Sequence, residues 1–248
     1  MGTACPNARP RAGRVKVARK TRTADCRNCT MLRALQAASL PAKTVDAICE
    51  RMWLTTVRRR QILYTEGNKA THLYAVRSGK VKLVRVDANG REYVSTVLES
   101  GDLFGFEALF GEAYETGAES VMVGEVCQAS GTELRTLMDR VPGVATDLAR
   151  YLHTQLARAR QRNEYLSAPN ATARLAGFLL QSLDRDTPDG DTVVARELTL
   201  RDLGALLGLA PETVCRARRD LESRSVVQTL RSGIRVCDVH SLEQVAGV

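Results

Sequence analysis

The hydrophobic period of this chain changes once, near residue 140, and that change constrains the fold more than any other feature. Before it, from about Arg58 to Val126, short apolar runs are punctuated by glycine: "QILYTEG", "HLYAVRSG", "KVKLVRVDANG", "REYVSTVLESGDLFG". Val81 and Leu83 repeat at a step of two, as do Tyr93, Ser95 and Val97, which is the spacing of half-buried strands. Asn89-Gly90 marks a hairpin turn, because both residues tolerate positive φ. Short, evenly spaced strands of this kind predict a small antiparallel barrel or roll. After the change, from Val141 to Leu166, the apolar or small residues Ala145, Leu148, Leu152, Leu156, Ala159 and Leu166 recur at intervals of three and four, with Asn163 in the remaining slot. This is a coiled-coil-like stripe on one long helix. Arg158, Arg160 and Arg162 lie on its opposite face, and the helix joins two units, so the stripe reads as a homodimer seam.

The seam helix ends at "SAPNAT" (Ser167 to Thr172), where Pro169 cannot occupy a helix interior. A further helix (Ala171 to Leu183), the turn "TPDGD" and a second compact unit follow. The chain is therefore read as α+β with four parts: a basic tail (1–24), a sensor-like roll (25–140), a linking helix (141–168) and a C-terminal unit (169–248). A length of 248 residues suits two domains with cores of their own. No apolar run is long enough to cross a bilayer, and the basic N-terminus lacks the apolar stretch of a secretory signal, so the cytoplasm is expected and no membrane partner. The net charge of +8 points to a polyanionic partner, yet seven of the basic residues sit between Arg9 and Arg22 and leave the remainder nearly neutral. That tail is either a solvated arm or a source of nonspecific phosphate contacts. Seven cysteines, an odd number, argue for free thiols, metal ligands or a redox role and not for a disulfide framework.

Residues 199–223, "TLRDLGALLGLAPETVCRARRDLES", carry the most specific chemistry. Thr199 suits a helix cap. Leu200, Leu203, Leu206 and Leu207 share a face, Gly208 allows a tight turn, and Pro211 fits the first turn of the next helix. That second helix points Val214 and Leu221 inward and exposes Glu212, Thr213, Cys215, Arg216 and Arg219. Two short helices around a glycine turn, the second rich in arginine, make a helix-turn-helix, and "VVQTLRSGIRVCDV" after it reads as a two-stranded wing around Ser232-Gly233. Arginine near the start of a recognition helix can fork onto guanine, and glutamate can accept from base amino groups, so double-stranded DNA is the expected partner.

Taken in order, "RSGKVKL" (Arg77 to Leu83), "GDLFGFEAL" (Gly101 to Leu109) and "ETVCR" (Glu212 to Arg216) resemble the CRP/FNR transcription regulators over nearly all of residues 25–245. The resemblance implies a cyclic-nucleotide-binding-like β-roll, a dimerisation helix and a winged helix-turn-helix that binds a palindrome, with RNA polymerase as a partner. In the FNR branch the recognition helix reads Glu-x-x-Ser-Arg. Glu212 and Arg216 match, which implies a half-site like TTGAT, while Cys215 replaces the serine hydroxyl with a weaker donor and should relax or change one position.

Cyclic-nucleotide binders of the family pair the cyclic phosphate with an arginine that follows the glycine-glutamate segment. None lies between Gly105 and Gly124, so no cyclic nucleotide is expected. The FNR resemblance implies instead a [4Fe–4S] cluster that senses oxygen, redox state or nitric oxide. Cys26 and Cys29 in "DCRNCTM" match its Cys-x-x-Cys pair and Cys127 its β-roll ligand. The family's next cysteine would fall at Leu35, which cannot ligate; Cys5 is the preferred fourth ligand and Cys49 the other candidate. The seam carries no charge to resist pairing, which keeps a cluster-free regulator open, controlled by thiol oxidation, haem (His72 or His153 as axial ligands) or abundance. No nucleophile, base and orienting group occur together, and no phosphate-cradling glycine loop, so the chain is not expected to be an enzyme.

Overall fold

The computed structural model describes residues 40–90, 92–141, 143–186, 193–195 and 197–247. Cys5, Cys26 and Cys29 lie outside them. A short helix α1 (Ala42–Cys49) starts after Pro41, whose carbonyl accepts from the N–H groups of Thr44 and Val45 at 3.0 Å, and it buries Val45 and Ile48. Eight strands then form two antiparallel four-stranded sheets. They are β1 (Trp53–Val57), β2 (Ile62–Tyr64), β3 (His72–Ser78), β4 (Val81–Val86), β5 (Glu92–Leu98), β6 (Leu103–Phe104), β7 (Gly117–Ser120) and β8 (Gly124–Ser130). The orders are β1-β8-β3-β6 and β2-β7-β4-β5, which makes the roll that glycine-punctuated alternation predicts.

The first sheet is buried on both faces. Tyr74, Val76 and Val126 turn toward the second sheet, into a core with Val57, Phe104 and Tyr114. Leu73, Ala75, Cys127 and Ala129 turn the other way, against α1 and two following helices, α2 (Gly131–Arg140) and α3 (Val144–Leu166). Full burial of a Leu or Val in either core contributes roughly 1.5–3 kcal/mol. The second sheet departs from simple alternation. Leu83 pairs with Thr96 but Val84 pairs with Val94, so Ser95 is an extra residue that shifts the register. Val94 and Leu98 are the buried positions of β5, while Tyr93 and Ser95 are exposed. Of the Asn89-Gly90 pair in the β4–β5 turn, Gly90 takes positive φ (77°) and Asn89 does not; Asn89 donates its N–H to the Asp87 carboxylate at 2.9 Å.

The long helix α3 does not present the stripe as read from spacing. Leu148 is 4% exposed inside the core shared with α1 and α2, and Leu166 packs against the core of the C-terminal unit, so neither belongs to an external seam. The outward positions are Ala145, Ala149, Leu152, Leu156 and Asn163, with Ala159 half-buried among them. A strict three-four alternation starting at Ala145 passes through Ala149 and not Leu148. Nor is the arginine face turned to solvent throughout: Arg158 reaches Asp102 at 3.5 Å and Arg162 donates to Thr96, both in the roll of the same chain.

After Ser167, α4 (Ala171–Asp186) begins under an Asn170 side chain that accepts from Ala173 N–H at 2.9 Å. The C-terminal unit continues with β9 (Val193–Val194), α5 (Leu200–Leu207), α6 (Pro211–Ser223), β10 (Val227–Leu230), β11 (Gly233–Val236) and α7 (Val239–Ala246), its strands ordered β10-β11-β9. Leu175, Leu179, Leu207, Val214, Leu221 and Leu242 form its core.

Candidate nucleic-acid interface

Local chemistry starts and stops both helices of the reading unit. Thr199 caps α5 in a reciprocal box: its hydroxyl accepts from Asp202 N–H at 3.1 Å, and the Asp202 carboxylate accepts from Thr199 N–H at 3.1 Å. The helix ends at Gly208 in the left-handed conformation (φ 67°). Gly204 sits where a Cβ would come within 2.7 Å of the Leu209 carbonyl, so the turn closes tightly onto α5. Pro211 then occupies the first position of α6.

Val214, Ala217 and Leu221 are all at most 3% exposed, and their three-and-four spacing fixes which side of α6 faces the core. Glu212, Arg216 and Arg219 are left exposed, with Thr213 and Cys215 half-buried beside them. Arg216 Nη2 donates to Thr213 Oγ1 at 3.3 Å, a contact that leaves most of the guanidinium fork available. Two further exposed arginines, Arg231 and Arg235, stand on the wing and were not singled out from sequence. Their signal was present in "LRSGIR", where a hairpin tip carries a cation on each side of its turn. The wing is tied to α6 by Thr229 N–H, which donates to the Glu222 carboxylate at 3.1 Å.

Two family models match consecutive parts of the chain: the cyclic nucleotide-binding domain over residues 54–141 and the Crp-like helix-turn-helix domain over residues 173–245. The fumarate and nitrate reduction regulatory protein of Vibrio cholerae is 27% identical over 206 residues, 82% of each chain. The anaerobic regulatory protein of Pasteurella multocida is 25% identical over 241 residues, 94% of this chain and 88% of its own. The solved structure of FixK2 from Bradyrhizobium japonicum matches with a TM-score of 0.71 at 25% identity, over 78% of this chain and 96% of that one. The chain belongs to the CRP/FNR family of transcription regulators. That family consists of transcription regulators, not enzymes.

In this CRP/FNR regulator the roll retains a cavity of about 560 Å³ against α3, lined among others by Tyr64, Phe104, Glu107, Leu152, Arg158 and Arg162. Its arginines come from α3 and not from the glycine-glutamate loop, which contributes Glu107, Glu112 and Glu115. Burial, reinforced by the Glu107 carboxylate, pushes the Tyr64 hydroxyl up, so it stays protonated. Among the cysteines, Cys127 is 7% exposed within the core between the first sheet and α1–α3, and half-buried Cys49 packs against that same core. Cys215 is half-buried and Cys237 exposed. Among the described residues no three His, Cys, Asp or Glu side chains are grouped to hold a metal ion, so these residues alone do not fit an iron–sulfur cluster. The thiolate donors such a group needs would come largely from Cys5, Cys26 and Cys29. No helix of the described residues is long and apolar enough to cross a membrane.

Proposed function

We propose that this regulator acts as a homodimer on an FNR-like palindrome and responds to oxygen, redox state or nitric oxide through a [4Fe–4S] cluster on Cys26, Cys29, Cys127 and Cys5. Its partners are then double-stranded DNA, a second copy of itself and RNA polymerase, in the cytoplasm. One observation carries the DNA part: the core contacts of α6 leave Glu212, Arg216 and Arg219 exposed on a helix that opens at Pro211. A bidentate arginine on guanine discriminates by about 1–3 kcal/mol. Arg216→Ala should therefore weaken binding to a TTGAT palindrome by roughly that amount and relax the guanine position, while binding to unrelated DNA changes little. An equal loss on both DNAs in a gel shift would reduce Arg216 to a phosphate contact.

The cluster part is supported by the soft thiol of Cys127, by the Cys26/Cys29 spacing and by the names of the relatives. Protein purified anaerobically should carry iron and sulfide, absorb in the visible and bleach in air, and Cys26→Ser and Cys5→Ser should each lower the iron content. Iron-free protein after anaerobic reconstitution would leave the second reading, a dimer controlled by thiol oxidation, haem or abundance. That reading is favoured by the outward stripe of α3, in which no position is ionised.

A further inference from the structure

Strand β4 reads VKLVRV, and its burial runs out of phase with its polarity: Lys82 is only 7% exposed. An ammonium withdrawn from water is costly unless it is paired and hydrogen-bonded. Three carboxylates surround this one. Glu119, directly opposite on β7, lies at 3.6 Å, and Glu92 on β5 at 3.0 Å. The third, Asp202 at 2.9 Å, belongs to the DNA-binding unit.

Asp202 already has a task. Its Oδ2 accepts from the N–H and the hydroxyl of Thr199, at 3.1 and 2.6 Å, which closes the box that starts α5; its Oδ1 takes the Lys82 ammonium. One carboxylate therefore both begins the first helix of the reading pair and joins that helix to the sensor sheet. Burial opposes charging either group, yet the hydrogen bonds between them and to Glu92 and Thr199 outweigh it. Lys82 is held above the usual lysine range and Asp202 below the usual carboxylate range, so the pair is ionised at neutral pH. Apolar contact continues the junction: Val94 of β5 is buried in the core of the DNA-binding unit, and Val97 packs against it. At the rim Arg201 approaches Glu92 at 4.0 Å. Without Lys82 the carboxylates of Glu92, Glu119 and Asp202 would lose the ammonium that lies among them, and their mutual repulsion would drive the units apart.

We infer that Lys82 is a positioning residue for DNA reading: through Asp202 it fixes the orientation of α5, and with it α6, against the sensor sheet of the same chain. In a dimer that orientation sets the distance between the two recognition helices. The inference rests on the proposed palindrome-binding dimer, since only paired helices have a spacing to set.

Full-length protein with Lys82→Met, Lys82→Arg, Asp202→Asn and the Met/Asn pair would be compared by two measurements. Amide hydrogen exchange without DNA reads docking at β5 and α5. Affinity for a TTGAT palindrome, against copies with one or two added central base pairs, reads spacing. Asp202→Asn keeps an oxygen for the Thr199 cap. Lys82→Met and Asp202→Asn should each speed exchange at the junction and cut the spacing preference, both by about tenfold, with no further loss in the double variant, while Lys82→Arg retains both. Unchanged exchange would overturn the inference, as would faster exchange with the spacing preference intact. A wild-type protein indifferent to spacing would sink the palindromic dimer and the inference together, which separates that failure from the others.

Discussion

Tyr151 shows how much a single side chain in this chain can decide. It is fully buried on α3, and its hydroxyl accepts from Leu103 N–H at 2.7 Å within "GDLFGFEAL", a buried hydrogen bond between the linking helix and the roll. A buried N–H deprived of its acceptor costs about 1–3 kcal/mol. Tyr151→Phe preserves the ring and its packing near Phe106 and removes only that oxygen, so a fall in urea midpoint of this size, at unchanged slope, is the expected outcome. An unchanged midpoint would show that Leu103 N–H finds another acceptor. Tyrosine gives no sign in the sequence of which way it points, so spacing alone does not reveal the place of Tyr151. Gly131 was equally silent: a Cβ there would lie 2.1 Å from the Ala108 carbonyl, a close approach between segments more than twenty residues apart. Asp202, by contrast, is visible as a helix-cap partner of Thr199, but its bond to Lys82, 120 residues away, is not.

Elements whose boundaries depend on neighbouring residues were legible; those that depend on what packs against them were legible in period and wrong in phase. Thr199, Gly208 and Pro211 stop and start α5 and α6 by local hydrogen bonding and backbone geometry, and those boundaries follow directly from the sequence. Strand β5 had the right period, but the extra residue at Ser95 shifts its partners, and the buried set became Val94 and Leu98. Helix α3 is the clearest case. It packs on the roll through Val144, Leu148 and Tyr151, meets the C-terminal core through Tyr165 and Leu166, and leaves Leu152 and Leu156 outside. A leucine reads as apolar whichever of three surfaces it meets, so spacing alone merged them into one stripe and placed Leu148 and Leu166 with residues they do not join. The same ambiguity concealed Arg158 and Arg162, whose long side chains turn back to the roll.

For the molecule as a whole, the corrected stripe makes assembly testable apart from any cofactor. Leu152 and Leu156 are 43% and 50% exposed, in line with Ala145, Ala149 and Asn163 along one face of a 23-residue helix. A two-fold axis along this face would set each leucine against its counterpart or its neighbour in the second copy, burying its exposed half for roughly 1 kcal/mol per side chain. Leu156→Glu exposes a carboxylate to water in the monomer, where it costs little, but sets two carboxylates together at the seam, so folding should survive while sedimentation shifts from dimer to monomer. Affinity for a full palindrome should then fall by about 10²–10⁴, the avidity of two linked half-sites, and affinity for a single half-site should stay the same. A variant that remains dimeric would place the contact elsewhere. Because no position of this stripe is charged, wild-type protein stripped of iron should sediment as a dimer too. Any signal carried by the cysteines would then act on the orientation of the reading helices within a standing dimer, and the Lys82–Asp202 junction lies between the roll and those helices.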